Sequence, residues 1–371
     1  MRKLALIVIV LSILGTAATC RRSGDKNVVT VALPEKFTTL DTLTTTASDA
    51  SAERIRTLMF ISLVRKDENF DYVGELASSI TPSADGLKIT FTLRDGIKFH
   101  NGKDLTSADV KYTFDQLFAS NGYKAGAFFD TVPDTDAKAV MPSANSAANS
   151  NANTAPKAPE VKTKRVAHIT SIDTPDPKTI VFSIARPSLK AVLLSNLVAV
   201  PIIPEGSAAG QKESPVGTGP FKFVSFDASQ NIVELAANDQ YWDGAPKYPR
   251  LRIKTVPDAT SLQAELQTGG VDIAPNPSNL PPDMLNALGS GGSLRVDQFD
   301  GSNLQYLIFN AAAAPLDKVK VRQAIGYAVD RDRIVKDLLS GQATVANAAL
   351  PPQSWAYSPG HVYTYDAAKA K

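Results

Sequence analysis

Cys20 is the one cysteine of this 371-residue chain. It has no internal disulfide partner and is read for its reactivity. Before it stand Arg2 and Lys3, the apolar run Leu4 to Leu14, and the small residues Gly15, Thr16, Ala17, Ala18 and Thr19, the order of a secretory signal with its cleavage site. A cysteine at that point becomes the first residue of the mature chain and carries lipid on its sulfur and amine. Ala17 and Thr19 depart from the usual pattern of Leu three residues before the cysteine and Gly, Ala or Ser just before it. The other reading is a cysteine that merely stands beside an ordinary cleavage site. The apolar run is shorter than the roughly 20 residues a membrane-spanning helix needs.

The remaining reactive side chains form no catalytic set. His100, His168 and His361 are far apart and lack metal-ligand spacing, so they are read as surface or capping residues. No G-x-S-x-G, H-E-x-x-H or Walker sequence occurs. An enzyme, a metal centre and a cofactor are therefore not expected, and binding without chemistry is the better fit. Gly217-Thr218-Gly219-Pro220 precedes a strand pattern, not a helix, which rules out a phosphate loop; its glycines allow positive φ and close approach. Tyr241 and Trp242 have the chemistry of a ligand platform, but core packing is the preferred reading. The net charge of +2, with both signs mixed along the chain, leaves no footprint for nucleic acid.

Alternation and helical spacing outline the elements that position these residues. Leu87, Ile89, Phe91 and Leu93 alternate with polar residues; Asp95-Gly96 reads as a hairpin turn, Ile97 and Phe99 as the returning strand, and Asn101-Gly102 as its end. Thr106 caps a helix, with Asp109 at its third position and Val110, Phe114, Leu117 and Phe118 on one face. Val28–Leu33 reads as a buried strand followed by a loop through Phe37 and Asp41, and Ala52–Val64 as a helix. Strands are expected over 165–172, 179–184, 251–258, 294–299 and 304–310, and helices over 189–198 and 261–269. Val321, Ala324, Ile325 and Ala328 share a helical face; Asp330 caps a second helix with Ile334, Val335, Leu338 and Leu339, ended by Gly341. Residues 131–160 are mostly Ala, Ser, Asn, Pro and Lys, a composition that cannot offset chain entropy, and are expected to form an exposed, mobile insertion.

Four of these stretches also resemble, in order, the motifs of one family. They are Thr90–Gly102 with Leu105–Val110, Gly217–Phe223, Asn238–Pro246, and Pro315–Arg331. Together they are similar to the extracytoplasmic solute-binding proteins of family 5, the dipeptide- and oligopeptide-binding lipoproteins of ATP-binding-cassette importers. Thr42 and Asp239 stand where that pattern has proline. The resemblance implies an α/β, periplasmic-binding-protein-like two-lobe receptor of type II with an extra inserted subdomain. It places a signal peptide at 1–19, a lipidated tether at 20–27, lobe I at 28–48 and 165–300, the inserted subdomain at 49–164, and the start of lobe II at 301–371. Family members continue beyond the position of Lys371, so the second lobe is expected to be incomplete in this chain, to bind peptides poorly and to leave Ile334, Val335 and Leu338 uncovered. The implied ligand-binding residues are Phe37 on the loop after the first strand, and Asn303 and Tyr306 near the hinge crossing, each with plain packing as its alternative. The implied partners are a peptide or other small solute, the permease subunits of the importer and a membrane holding the lipid on Cys20; a monomer is expected outside the cytoplasm. The competing expectation is a shortened, non-transport pseudo-receptor acting as a surface interaction or sensing lipoprotein.

Overall fold

The computed structural model describes residues 27–41, 43–134, 163–275, 278–299, 301, 303–350, 352 and 356–371. The signal, Cys20 and the expected insertion from residue 135 onward lie outside the described residues. The chain divides into two compact units, with the boundary between Thr255 and Val256.

The unit ending at Thr255 contains two four-stranded sheets. In the first, β1 (Val28–Leu33) pairs in parallel with β12 (Arg250–Thr255), Val28 opposite Arg250 and Leu33 opposite Thr255. β12 then pairs antiparallel with β11 (Ile232–Ala237), and β11 with β10 (Phe221–Asp227), where the register slips between Phe223 and Ser225. Val233 and Leu235 of β11 and Leu251 and Ile253 of β12 are buried at every second position, as a strand packed on one face requires.

The second sheet is antiparallel, in the order β4 (Ala77–Pro82), β5 (Lys88–Leu93), β9 (Thr179–Ile184), β8 (Ile169–Asp176). Ile89, Phe91 and Leu93 point into the core shared with α2 (Ser107–Ser120), whose Val110, Phe114 and Leu117 are fully buried. Phe114 stands edge-on to Phe182 at 5.0 Å and to Phe128 at 5.8 Å, an arrangement aromatic quadrupoles favour. Asp109 accepts both the Thr106 backbone N–H and the Thr106 hydroxyl, so the predicted cap is present.

Two local readings are corrected. Ile97 and Phe99 do not return along β5, because both edges of β5 are occupied by β4 and β9. The segment folds on itself: the Phe99 N–H donates to Lys103 O and the Leu105 N–H to Ile97 O, at 2.8 and 2.9 Å. The single strand expected over 165–172 is two strands in different sheets. β7 (Thr163–Ala167) pairs with β6 (Phe129–Pro133), and the chain changes sheet at His168, whose N–H donates to Phe128 O. Thr131 to Pro133, assigned to the insertion from sequence, therefore belong to strand β6.

The unit from Val256 onward has a much smaller core. Asp258 caps α5 (Ala259–Thr268) by accepting the Ser261 N–H at 2.7 Å, and Gly269 ends it at φ +73°. Leu262, Val271, Leu280 and Leu288 are buried, the last on α6 (Pro282–Ser290). Among the described residues none beyond Leu288 is buried. α7 (Val319–Ala328) is followed by a short helix, α8 (Arg331–Arg333), capped by Asp330 and continuing as a π-helical turn to Leu338. A last turn, α9 (Ala367–Ala370), is tied to α7 by the Asp366 N–H, which donates to Tyr327 O at 2.9 Å. The strands expected over 294–299 and 304–310 are absent among the described residues. Their alternation is real, but a strand forms only against a partner edge, and none is supplied among the described residues.

Candidate functional site

The loop leaving β1 is fixed residue by residue. Phe37 is 3% exposed and its ring lies 5.0 Å from that of Phe226. Its carbonyl accepts the Asn231 amide at 3.2 Å, and Asn231 Oδ1 accepts the Thr255 hydroxyl at the end of β12. The Phe37 ring is thus a core side chain, and the loop offers its backbone and the exposed Glu35, Lys36 and Thr38 outward. The Thr38 N–H donates to Asp49 at 3.0 Å, and the same carboxylate caps α1 (Ala50–Met59) through the Ala52 N–H. Asp41 accepts the N–H groups of Leu43 and Thr44, closing an Asx turn.

Beneath that loop lies a buried charge cluster. Glu53 of α1 receives Arg56 Nε at 2.6 Å, Lys124 Nζ at 2.7 Å and the Tyr123 hydroxyl at 2.8 Å. Burial raises the Glu53 pKa, yet the adjoining Lys124 and Arg56 charges outweigh it and hold the carboxyl below its usual range. The Lys124 ammonium, 4% exposed, responds oppositely: burial brings it down to about 8 against the pull of Glu53. The Tyr123 N–H donates to Thr45 O at 3.0 Å, which seats the loop on α3 (Tyr123–Gly126).

Three of the sequence motifs meet at Gly217–Pro220. The Gly217 N–H donates to His100 Nδ1 at 3.3 Å, and His100 Nε2 donates to Gly219 O at 3.0 Å. The His100 N–H donates to Gly217 O, the Gly219 N–H to Met59 O, and the Asn238 amide to Gly219 O. A neutral ring is required, since Nδ1 accepts while Nε2 donates. Burial lowers the His100 pKa to about 4. The glycines are needed for close approach rather than positive φ: a Cβ on Gly217 would lie 2.1 Å from Met59 O, and one on Gly219 2.5 Å from Met59 C. His100 is therefore a joint between motifs, a role sequence reading missed. His168 is also buried, with Nε2 3.0 Å from Asp130, where the sequence reading placed it at the surface or a cap. His361 is exposed against Tyr363.

Tyr241 and Trp242 are half-buried and packed against the core, with the Arg94 guanidinium 4.9 Å over the indole. Burial, and then the Glu75 and Asp243 charges, push the Tyr241 hydroxyl up to about 12. This is the packing arrangement rather than an open platform.

The other sequence-derived site residues lie elsewhere. Asn303 is exposed and Tyr306 is 68% exposed, both in the unit after Val256, whereas Phe37 belongs to the unit before it. Cys20 lies outside the described residues. Among the described residues no group of three or more His, Cys, Asp or Glu is arranged to hold a metal, and no helix is long and apolar enough to cross a membrane.

Comparison with known proteins adds the family. Residues 71–371 match the family described as bacterial extracellular solute-binding proteins, family 5, middle. The chain is similar to a heme-binding protein A of Haemophilus influenzae, 30% identical over 96% of this chain and 63% of that protein. It is also similar to a dipeptide-binding protein of Escherichia coli, 30% identical over 80% of this chain and 53% of that protein. The chain thus spans roughly half to under two thirds of the length of these relatives. Among solved structures, NikZ from Campylobacter jejuni in complex with Ni(L-His) superposes with a TM-score of 0.72 at 26% identity, over 93% of this chain and 62% of that one. The oligopeptide-binding protein AppA of Bacillus subtilis, in complex with a nonapeptide, shares the fold at a TM-score of 0.65 and 22% identity, over 92% of this chain and 62% of that one. With the motif joint at His100 and the mixed α/β architecture, this match over most of its length makes the chain a member of the family 5 bacterial extracellular solute-binding proteins.

Proposed function

We propose that this chain is the solute-capturing part of an extracytoplasmic receptor that delivers peptides, or a similar small solute, to the permease subunits of an ATP-binding-cassette importer. The observation that carries this reading is the family match over residues 71–371. Several relatives are named for peptides and one for heme, so a small solute is the shared class and a peptide the first to test. The receptor binds without catalysis, acts as a monomer, and is held outside the cytoplasm by lipid on Cys20. Asn303 and Tyr306 contribute exposed side chains to the ligand wall; Phe37 contributes through the backbone of its loop. Lobe I comprises 28–48 and 165–300 with 49–164 inserted, and 301–371 opens lobe II; the compact-unit boundary after Thr255 falls inside that lobe I.

The test is a thermal-shift titration with a mixed di- to pentapeptide library, run on this chain and on the same chain carrying a family-like continuation. A ligand that binds only the folded form raises the melting temperature. Saturable stabilisation of the continued form is the expected result. If neither form responds to peptides, heme or a nickel–histidine complex, the receptor reading falls and a surface interaction lipoprotein replaces it.

A further inference from the structure

The first sheet of the unit ending at Thr255 has an outer face, and its charges are unbalanced. Val233, Leu235, Leu251 and Ile253 are buried, so the residues between them on β11 and β12 point away from the core. The strand registers collect Lys222, Arg250, Arg252 and Lys254 on that outer face, against the carboxylates of Glu234 and Asp227. Both carboxylates are already engaged. Glu234 accepts Arg252 Nε at 2.6 Å, and Asp227 is taken up by its own turn, accepting the N–H groups of Ser229 and Gln230. Arg250 is exposed, and its guanidinium has no hydrogen-bond or ion-pair partner among the described residues. Beside the register slip at Phe223 and Ser225, a cavity of about 310 Å³ lies among Val224, Ser225, Glu234, Arg250 and Arg252. A concave cationic site with an unpaired guanidinium suits a phosphate group, whose oxygens accept two parallel N–H donors from one Arg.

Position in the chain says which phosphate. Val28, the first residue of β1, stands opposite Arg250. Only residues 21–27 separate it from Cys20, and they add Arg21, Arg22 and Lys26 against Asp25. Even fully extended, that link spans no more than roughly 28 Å. A lipid on Cys20 would therefore hold the Arg250 edge of the sheet near the bilayer at all times. A cationic face kept that close meets anionic headgroups at a high effective concentration, an advantage no acidic protein in solution shares. We propose that the outer face of this sheet, centred on Arg250 and Arg252, docks on anionic phospholipid headgroups once Cys20 is anchored. The lipid supplies attachment and the face supplies orientation. The inference rests on the lipoprotein reading of Cys20 and extends it; it concerns only the unit ending at Thr255 and does not depend on which solute is bound.

The test anchors the chain chemically. The protein from Cys20 onward is coupled through its one thiol to a maleimide-bearing lipid in vesicles of phosphatidylcholine, alone or mixed equally with phosphatidylglycerol. Phenylglyoxal then modifies accessible arginines, and mass spectrometry reads the rate at each. On the anionic vesicles at low salt, Arg250 and Arg252 should react about threefold more slowly or less than on neutral ones, and high salt should abolish the difference. Arg65, exposed on the ribbon that pairs Val64–Lys66 with Tyr72–Gly74, should react equally on both. Equal rates at Arg250 and Arg252 on the two kinds of vesicle would overturn the proposal, as would equal slowing at Arg65. Slowing by free glycerol phosphate or by polyglutamate, but not by anionic vesicles, would overturn it too, reassigning the face to a soluble anion or an acidic protein. Because the coupling is chemical, these outcomes do not depend on what the cell attaches to Cys20. A chain found unlipidated in the cell would remove the lipoprotein reading separately, without altering the rates measured on the vesicles.

Discussion

His100 joins two distant motifs through a single neutral ring, and its titration follows from that geometry. Protonation would place a donor at Nδ1 against the Gly217 N–H in a site already stripped of water. The folded pKa is about 4 against 6.5 for the free side chain. Between those values the unfolded chain binds more protons, so stability is full above about pH 6.5 and falls as pH drops toward 4. Denaturant titrations at several pH values should show the wild type losing on the order of 2–3 kcal/mol across that window relative to His100→Gln. The comparison removes the carboxylates, which titrate equally in both proteins. At pH 7 the substitution itself should cost about 1 kcal/mol, the worth of a hydrogen bond. An unchanged difference between the two proteins from pH 7 to pH 4 would show that the ring is not held neutral. Sequence alone did not expose this role. Phe99-His100 and Gly217-Thr218-Gly219 are each visible as motifs, but no local window records that they touch. The same holds for Phe37, whose ring is spoken for by Phe226, far along the chain.

Elements with a strong local period were legible. The face of α2, the Thr106 cap, β5 and β9 stand as their spacing predicted. The errors arose where a period needed a partner. Residues 97–99 found both edges of β5 taken, and 304–310 found no edge among the described residues. Close packing of elements gives the next prediction. A methyl on Gly219 would meet Met59 C at 2.5 Å and Leu58 O at 2.7 Å, backbone atoms that cannot swing aside. Gly219→Ala should destabilise by about 3 kcal/mol or more, by chemical denaturation. Gly126→Ala, with nothing within 4 Å, is the control and should stay within about 0.5 kcal/mol of wild type. The β6–β7 ribbon supports a further one. Pro133 and Thr163 are paired across the ribbon, so a short turn can join its strands. Replacing 135–161 with such a turn should leave the melting temperature unchanged or slightly raised, since loop closure changes by only about 0.6 kcal/mol per doubling of length. Loss of cooperative unfolding in that variant would give the replaced stretch a structural role.

For the molecule as a whole, the proposed attachment rests on one residue. If Cys20 carries the only anchor, Cys20→Ala should move the protein from the membrane pellet to the soluble fraction after a carbonate wash. Retention in the pellet would remove the lipoprotein reading while leaving the family assignment intact. The pairing of β1 with β12 also sets a timetable. A chain emerging from its amino end releases β1 long before the strand it must lie beside, because Val28 waits for Arg250. The β4–β5 ribbon closes across a short turn as soon as it appears, whereas the first sheet closes only near the end of its unit. Chains cut before Arg250 should keep amide protection in β4 and β5 and lose it throughout β1. If the proposed signal sends the chain through an export channel before it folds, this late closure works as a built-in delay: the strand that leads is the one least able to fold early.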